Sequence, residues 1–356
     1  MLYHKLNFLK YTLLPIQIIY SIIIFLRNEL YHKNIFKSFK TYPTIISVGN
    51  LNTGGTGKTP MTEYLIKLFK NKKVAVLSRG YKRLTKEFII ANNEHTASEI
   101  GDEMHQLYRK FQNILIACDK NRANGIRNII NHNSNIDLIL LDDAFQHRSV
   151  NRDIDILLTE YGNLYSRDQL LPIGRLREHV KEAKRANIII ITKCPENISE
   201  KEMNQIRIEL KLKRAQKIYF SYIQKYTYID ARRQKKIKIN LNKRHLLLTG
   251  IANSLKLVHH LKESGLKFKH FNFNDHYIFQ NNDISKIITS KTKHQLSKNL
   301  LLTEKDYYRL SEKDKIKLEK HFNLVCIQIK FDFIQRDKLN FNNELLNFKK
   351  HKTTQI

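Results

Sequence analysis

The stretch from Ile45 to Pro60, IISVGNLNTGGTGKTP, constrains the fold more than any other part of the chain. An apolar run ends in a glycine-rich loop, which leads at once into Lys58, Thr59 and Pro60. Glycines let backbone amides converge with no Cβ in the way, and amides converging at a helix start make an anion site. A lysine there reaches the outer phosphates of a nucleotide, and a Ser/Thr hydroxyl can hold Mg2+. Val48 and its neighbours read as a strand and Met61 onward as a helix, with Pro60 in the helix's first turn, where its missing N–H costs little. The cradle would comprise Asn52, Thr53, Gly54, Gly55, Thr56, Gly57, Lys58 and Thr59. The strict pattern G-x-x-x-x-G-K-[ST] has glycine where Asn52 stands, so a glycine-rich hairpin is the competing reading; the flanking strand and helix argue against it.

Short, continuous apolar runs recur after this unit: VAVL at 74–77, ILIA at 114–117, IDLILL at 136–141, IDILL at 154–158, IIIIT at 188–192 and KIYFSYI at 217–223. Such runs suit strands buried on both faces, and intervening helices imply a parallel sheet. Met104, Leu107, Tyr108 and Phe111 mark one such helix. Residues 226–245 turn polar and basic and read as a linker, with a pair of strands as one form it could take. The pattern then restarts with strands at 245–251, 268–273, 299–303 and 324–329 and helices between them. The expected fold is α/β: a P-loop NTPase-like parallel-sheet domain at 36–225, a smaller α/β domain at 246–335 and a polar, frayed tail at 336–356.

Residues 1–35 stand apart. Tyr11 to Leu26, YTLLPIQIIYSIIIFL, carries no charge and is flanked by Lys5, Lys10 and Arg27. It is short for a span of about 20 residues, and no small-residue cleavage site follows it. Two readings stand: an N-terminal membrane-associated helix whose basic flanks suit anionic headgroups, or a buried core helix. Across the chain, Lys+Arg 63 against Asp+Glu 33 gives a net charge of +30. Richness in Lys, Asn and Ile together points first to AT-biased coding and second to an anionic partner. No helix-turn-helix, zinc-finger or RNP signature accompanies the charge, so nucleic acid is not an expected partner. Cys118, Cys194 and Cys326 are far apart and suggest neither zinc nor a disulfide framework.

In IDLILLDDAFQHR, two carboxylates close a buried strand, where ligands bind in open α/β sheets. Asp142 is the candidate Mg2+ ligand; Asp143 could assist the metal or position the acceptor, and either aspartate could instead cap the next turn. Asp102 in SEIGDEMHQ is a helix cap or a base. His276 in FNFNDHYIF is structural or is oriented by Asp275. Arg175 and Arg177 in LLPIGRLRE, and Arg122 in CDKNRANG, are phosphate contacts or solvated charges. In LTEKD, Thr303 caps a helix with Asp306 facing its first turn. TKCP at 192–195 resembles a guanine-reading motif only faintly, because Pro195 takes the aspartate's place.

Taken together, VGNLNTGGTGKTP, SRGY (78–81), GDE (101–103), DDAFQHR (142–148), LLPIGRLRE, LTGIAN (248–253), DH (275–276) and LTEKD (302–306) stand in the order found in the tetraacyldisaccharide 4′-kinase family, the lipid A 4′-kinases. The chain resembles that family from the apolar N-terminus to about residue 330. Asn52 in place of the first glycine is shared with it; Ala144, Arg175 and Tyr277 stand where members commonly have glycine, proline and a second histidine. The resemblance implies transfer of the ATP γ-phosphoryl group to the 4′-hydroxyl of tetraacyldisaccharide 1-phosphate, with Mg2+. It implies that Lys58 and Thr59 serve nucleotide and metal, Asp142 and Asp143 form the acidic pair, and Asp102 and His276 form an acid/base dyad. Arg122 and Arg177 fall near phosphates or disaccharide, and Gln146 and His147 near the acceptor. Catalytic weight thus rests on Asp102, His276, Lys58, Arg177, Asp142 and Asp143. A monomer acting at the cytoplasmic face of the inner membrane is expected. The rival class is a P-loop NTPase serving as a switch or maturation factor.

Overall fold

The computed structural model describes residues 2–224, 226–251, 254–275, 277–293 and 296–348. A long helix, α1 (Leu2–His32), precedes the first sheet. That sheet takes β1 (Thr44–Asn50), β2 (Val74–Ser78), β3 (Ile89–Ile90), β4 (Leu115–Cys118), β5 (Leu138–Asp142), β6 (Ile154–Glu160), β7 (Ile188–Cys194) and β8 (Lys217–Ile223). Between them run α2 (Lys58–Leu68), α3 (Ala97–Ile100), α4 (Asp102–Lys110), α5 (Arg122–His132) and α6 (Glu200–Glu209). The second sheet takes β9 (Thr227–Asp230), β10 (Lys235–Ile237), β11 (Arg244–Thr249), β12 (Lys267–Asn272), β13 (Asn299–Thr303) and β14 (Asn323–Gln328). Its helices are α7 (Ser254–Glu263), α8 (Asn281–Lys293), α9 (Glu304–Arg309) and α10 (Glu312–Glu319). The chain ends its described part with β15 (Phe331–Phe333) and α11 (Asp337–Leu346).

The first sheet runs β15-β8-β7-β6-β1-β5-β2-β4-β3, parallel from β8 to β4 with antiparallel edges. Its continuous apolar strands do what such strands must: successive residues serve opposite faces. Ile46, Val48, Leu138 and Leu140 pack with Met61 and Leu65 of α2 and Met104 and Leu107 of α4. Their neighbours Ile45, Ile139 and Leu141 pack with Ile126 and Ile129 of α5 on the other side. β1 lies between β5 and β6, so connections leave it in opposite directions and a crevice opens at its C-terminal end. The second sheet, β10-β9-β14-β13-β11-β12, alternates in the same way, with Leu246 and Leu300 on one face and Leu247 and Leu301 on the other. All three cysteines are buried free thiols.

Three expectations are corrected. Residues 226–245 do not merely link: β9 and β10 form a hairpin, and β9 pairs with β14. Residues 331–333 leave the second unit, because β15 pairs with β8 of the first sheet, Phe331 opposite Ile223. The tail is ordered over 337–346, where α11 buries Phe341 and Leu345 beside Met61 and Leu65. Tyr64 of α2 donates to Asn342 at 2.7 Å. One turn of helix separates Phe341 from Leu345, so these two dock the helix by one face while Leu339 and Leu346 stay exposed. The core-helix reading of the N-terminus also falls: Ile16, Ile19, Ile22, Ile23 and Leu26 are exposed on α1. Thr12–His32 is long and apolar enough to cross a membrane.

If α11 completes the first core, Phe341→Ala should cost about 3–5 kcal/mol of unfolding free energy. Urea denaturation of the full chain measures it, and a loss under about 1 kcal/mol would mean the helix merely rests on the surface.

Candidate active site

The glycine-rich loop meets the crevice at the end of β1. Gly54 and Gly57 adopt φ of 117° and 92°, a region that side chains with a Cβ avoid. α2 then starts at Lys58 with Gly57 as its cap and no side-chain capping bond, which leaves its amides facing the loop. Asn50, the last residue of β1, organises the turn. Its Nδ2 donates to Thr56 Oγ1 at 2.9 Å, and its Oδ1 accepts from Lys58 Nζ at 3.3 Å and from Arg177. The Asn50 carbonyl accepts from Gln146 Nε2 at 2.9 Å and Arg177 Nη2 at 2.8 Å. From β7, Thr192 Oγ1 donates to the Thr56 carbonyl at 2.9 Å and Lys193 Nζ to that of Gly55 at 2.6 Å. Thr53 joins the loop to the 170s through its N–H, which donates to the Arg175 carbonyl at 2.7 Å.

β5 delivers the acid pair beside this loop. Gly49 has to be a glycine: a Cβ there would lie 2.7 Å from that of Phe145, so the 142–148 turn could not close on β1. Asp143 turns out of the strand at φ 48°. Its carboxylate receives both terminal nitrogens of Arg177, at 2.8 and 3.1 Å, and stands 3.7 Å from Lys58. Burial would raise it, but Lys58 and Arg177 outweigh burial and hold it at about 2. Asp142 is fully inside and accepts from Thr62 Oγ1 at 3.3 Å. Burial, and then the charge on Asp143, push it up to about 7. One acid of the pair is matched by cations; the other is short of positive charge.

Arg122 is buried at the start of α5. Its Nη1 donates to the Asp119 carbonyl at 2.8 Å, while Nε and Nη2 meet no partner among the described residues. Burial lowers it to about 10 against the pull of Asp142 and Asp143, so it stays a cation facing the acid pair. His147 is lowered to about 3 by burial and then by Arg122, and is therefore a neutral imidazole.

Asp102 is not a cap. Gly101 holds the capping position of α4, and the Asp102 carboxylate takes Arg309 Nη2 at 2.6 Å and Nε at 3.0 Å. Arg309 belongs to α9, so this pair joins the two sheets. Beside it, Lys305 meets Glu103 at 2.9 Å and lies 3.9 Å from Asp275; His276 lies outside the described residues. Lys110 of α4 bridges Glu63 of α2 at 2.7 Å and Glu304 of α9 at 2.9 Å. Thr303 caps α9 as expected, accepting from the Asp306 amide at 3.1 Å.

Lys58, Asp143, Arg177 and Gln146 thus meet in one network around Asn50, with Asp142 and Arg122 coupled to it by charge and the neutral His147 beside it. Thr59 occupies the second position of α2, one turn before Thr62. Asn52 is buried and spends its amide on Asp168 at 2.9 Å, which pins the loop rather than offering a donor to it. Arg175 does not join; it pairs with Asp168 and Asn163. Ala144 is buried without strain, and Tyr277 donates to Asp283 at 2.9 Å. Sequence reasoning missed Asn50, Thr62, Thr192, Lys193 and Arg309. A polar residue ending a buried strand was the available signal for Asn50. For Thr62 it was the three-residue step from Thr59, and for Arg309 the same step from Asp306.

The arrangement offers a cradle of the size and polarity a polyphosphate needs, a buried acid beside it that could hold a divalent cation, and the cations Lys58, Arg122 and Arg177 around both. The family model for Tetraacyldisaccharide-1-P 4′-kinase matches residues 9–348. A tetraacyldisaccharide 4′-kinase of Flavobacterium johnsoniae is 40% identical over 345 residues, covering 96% of this chain and 98% of the relative. One from Flavobacterium psychrophilum is 41% identical over 357 residues, covering 98% and 99%. A crystal structure of LpxK from Aquifex aeolicus in complex with ATP superposes with TM-score 0.73 at 26% identity, covering 96% of this chain and all of that one.

The raised Asp142 has a consequence for stability. Its folded value of about 7 lies above the ordinary 3.8, so between those values the folded chain holds a proton that the unfolded chain releases. Stability is then greatest at the acid end and falls as pH rises to about 7. Asp142→Asn removes that ionisation and keeps an acceptor for Thr62. Without nucleotide, its Tm should exceed the parent's by several degrees at pH 8, the gap narrowing toward pH 4. Equal Tm values at pH 8, read by calorimetry, would contradict the assignment.

Proposed function

The chain belongs to the tetraacyldisaccharide-1-P 4′-kinase family, and from that premise we propose that it transfers the γ-phosphoryl group of ATP to the 4′-hydroxyl of tetraacyldisaccharide 1-phosphate, giving lipid IVA. It is an ATP-dependent kinase of lipid A biosynthesis. The observation that carries the assignment of roles is the single network in which Asn50 ties the glycine loop to Lys58 and Arg177, and through Arg177 to Asp143.

Phosphoryl transfer asks for positioning and neutralisation more than covalent help. The loop from Thr53 to Gly57 and the start of α2 cradle the phosphates. Lys58, resting against Asp143 and Asn50, reaches the outer ones. Arg177 and Arg122 bring fixed positive charge to the transferred group and the sugar phosphate. Gln146 and the neutral His147 line the acceptor side.

Among the described residues, no group of three or more His, Cys, Asp and Glu could hold a metal alone. Mg2+ needs less, since it keeps waters and shares phosphate oxygens. Asp142, buried and short of positive charge, and the Thr59 hydroxyl suit it as protein ligands. When bound, Mg2+ offsets the phosphates' negative charge.

Asp102 and His276 act as the acid/base dyad that takes the 4′-hydroxyl proton, titrating as a unit. Arg309 fixes the Asp102 carboxylate from the second sheet, so closing that sheet on α4 brings the dyad to the acceptor. The acceptor's four acyl chains hold it in a bilayer at about 0.8 kcal/mol per buried CH2. The exposed apolar face of α1 therefore brings the enzyme to the cytoplasmic face of the inner membrane, whose anionic surface suits the cationic chain.

The test combines purified protein, labelled ATP, Mg2+ and the disaccharide 1-phosphate in detergent, scored by product mass. Acceptor-dependent phosphorylation is expected, with Asp102→Ala and His276→Ala each lowering turnover by about 100-fold or more. ATP hydrolysis with no phosphorylated lipid would favour the switch reading, and near-parent turnover in both variants would remove the dyad.

A further inference from the structure

Helix α1 is built inside out relative to a helix on a soluble core. Its outer side carries Ile16, Ile19, Ile22, Ile23 and Leu26 in the open. Its inner side presents Gln17, Tyr20, Ser21, Arg27 and Asn28, which recur at helical spacing. These polar groups do not contact the body at random. Tyr20 Oη donates to the backbone carbonyl of Arg177 at 2.9 Å. Arg27 Nη2 donates to the backbone carbonyl of Gln146 at 2.7 Å, and Gln146 in turn holds the Asn50 carbonyl. Between and beyond them, Ser21 meets His179 at 3.1 Å and Asn28 donates to Glu178 at 3.3 Å.

Two residues assigned to the transfer site are therefore each gripped, through the main chain, by one side chain of α1. Arg177 can reach Asp143 and Asn50 together only if its backbone is held in place, and Gln146 reaches Asn50 under the same condition. We propose that Tyr20 and Arg27 are positioning residues, so that the helix that meets the lipid surface also assembles the acceptor side of the site. A lipid or detergent layer over the outer side would exclude water from these hydrogen bonds and strengthen them. Docking on lipid and completion of the site then become one event. The inference rests on the kinase reading for its catalytic consequence, but its structural half stands without it.

The double variant Tyr20→Phe/Arg27→Met removes both donors and leaves the outer face untouched. In detergent with saturating acceptor, kcat should fall by about tenfold, with KM for ATP unchanged. Flotation with phosphatidylethanolamine–phosphatidylglycerol vesicles should match the parent. Arg27→Lys, which keeps a donor, should recover most of the activity lost in Arg27→Met. Independently of turnover, amide hydrogen exchange at 145–148 and 175–178 should quicken by about tenfold while Tm stays near the parent's. A kcat within twofold of the parent, or unchanged exchange in those segments, overturns the proposal. A parent that binds vesicles but phosphorylates no acceptor sinks the kinase reading instead, and the exchange result still decides this one.

Discussion

Two neighbouring carboxylates at the end of a buried strand cannot both carry an uncompensated charge, and the site is built around how the chain resolves that conflict. Asp143 is turned out of β5 at positive φ and handed to Arg177 and Lys58. Asp142 stays inside, in contact with a threonine hydroxyl and, among the described residues, in ion-pair contact with no cation, although the charges of Arg122 and Lys58 reach it from farther off. The pair is split into a fixed anion and an acid short of positive charge, which is the state a divalent ion would resolve. Other features follow from the split. Gly49 lets Phe145 press on β1, Asn50 ties Arg177 to the loop, and Tyr20 of α1 donates to the Arg177 carbonyl.

The second sheet enters through charge rather than through a shared core. Asp102–Arg309, Glu103–Lys305 and the Glu63–Lys110–Glu304 bridge all run between the first sheet's helices and α9. Across the cleft, Lys256 of α7 and Lys193 of β7 share Glu160. Ion pairs that are partly buried add little net stability, because desolvation offsets their attraction, but they discriminate sharply between orientations. An interface of this kind can part and re-form in one register. Glu63 lies on the helix that begins at Lys58, so the register is coupled to the nucleotide loop.

Much of this was legible in the residues. Continuous apolar runs require strands covered on both faces, and the glycine loop requires a strand before it and a helix after it. The strand-end acids, Lys58 and the Thr303 cap were all readable from spacing. Long-range partners were not. Nothing local in FNNELLNF says that Phe341 and Leu345 return to the first core while Leu346 and Phe348 stay exposed, because the four apolar residues sit among polar ones with no sequence mark of which face is covered. Asp102 resembled a cap because its partner, Arg309, is 207 residues away. Asn52 looked like a phosphate donor until Asp168 claimed its amide. The N-terminal run was read for its apolar residues, whereas its polar ones carry the contacts that matter to the site.

Burial and the neighbouring Asp143 charge favour a proton on Asp142, and a divalent cation bound there would displace it. Calorimetric titration of preformed MgATP into the full chain at pH 7, repeated in buffers of different ionisation enthalpy, reads this directly. With Asp142 pushed up toward 7, binding should release protons, seen as a slope of binding heat against buffer enthalpy. Binding heats that do not change with buffer would show that Asp142 is already ionised, and the division of labour between the two acids would not hold.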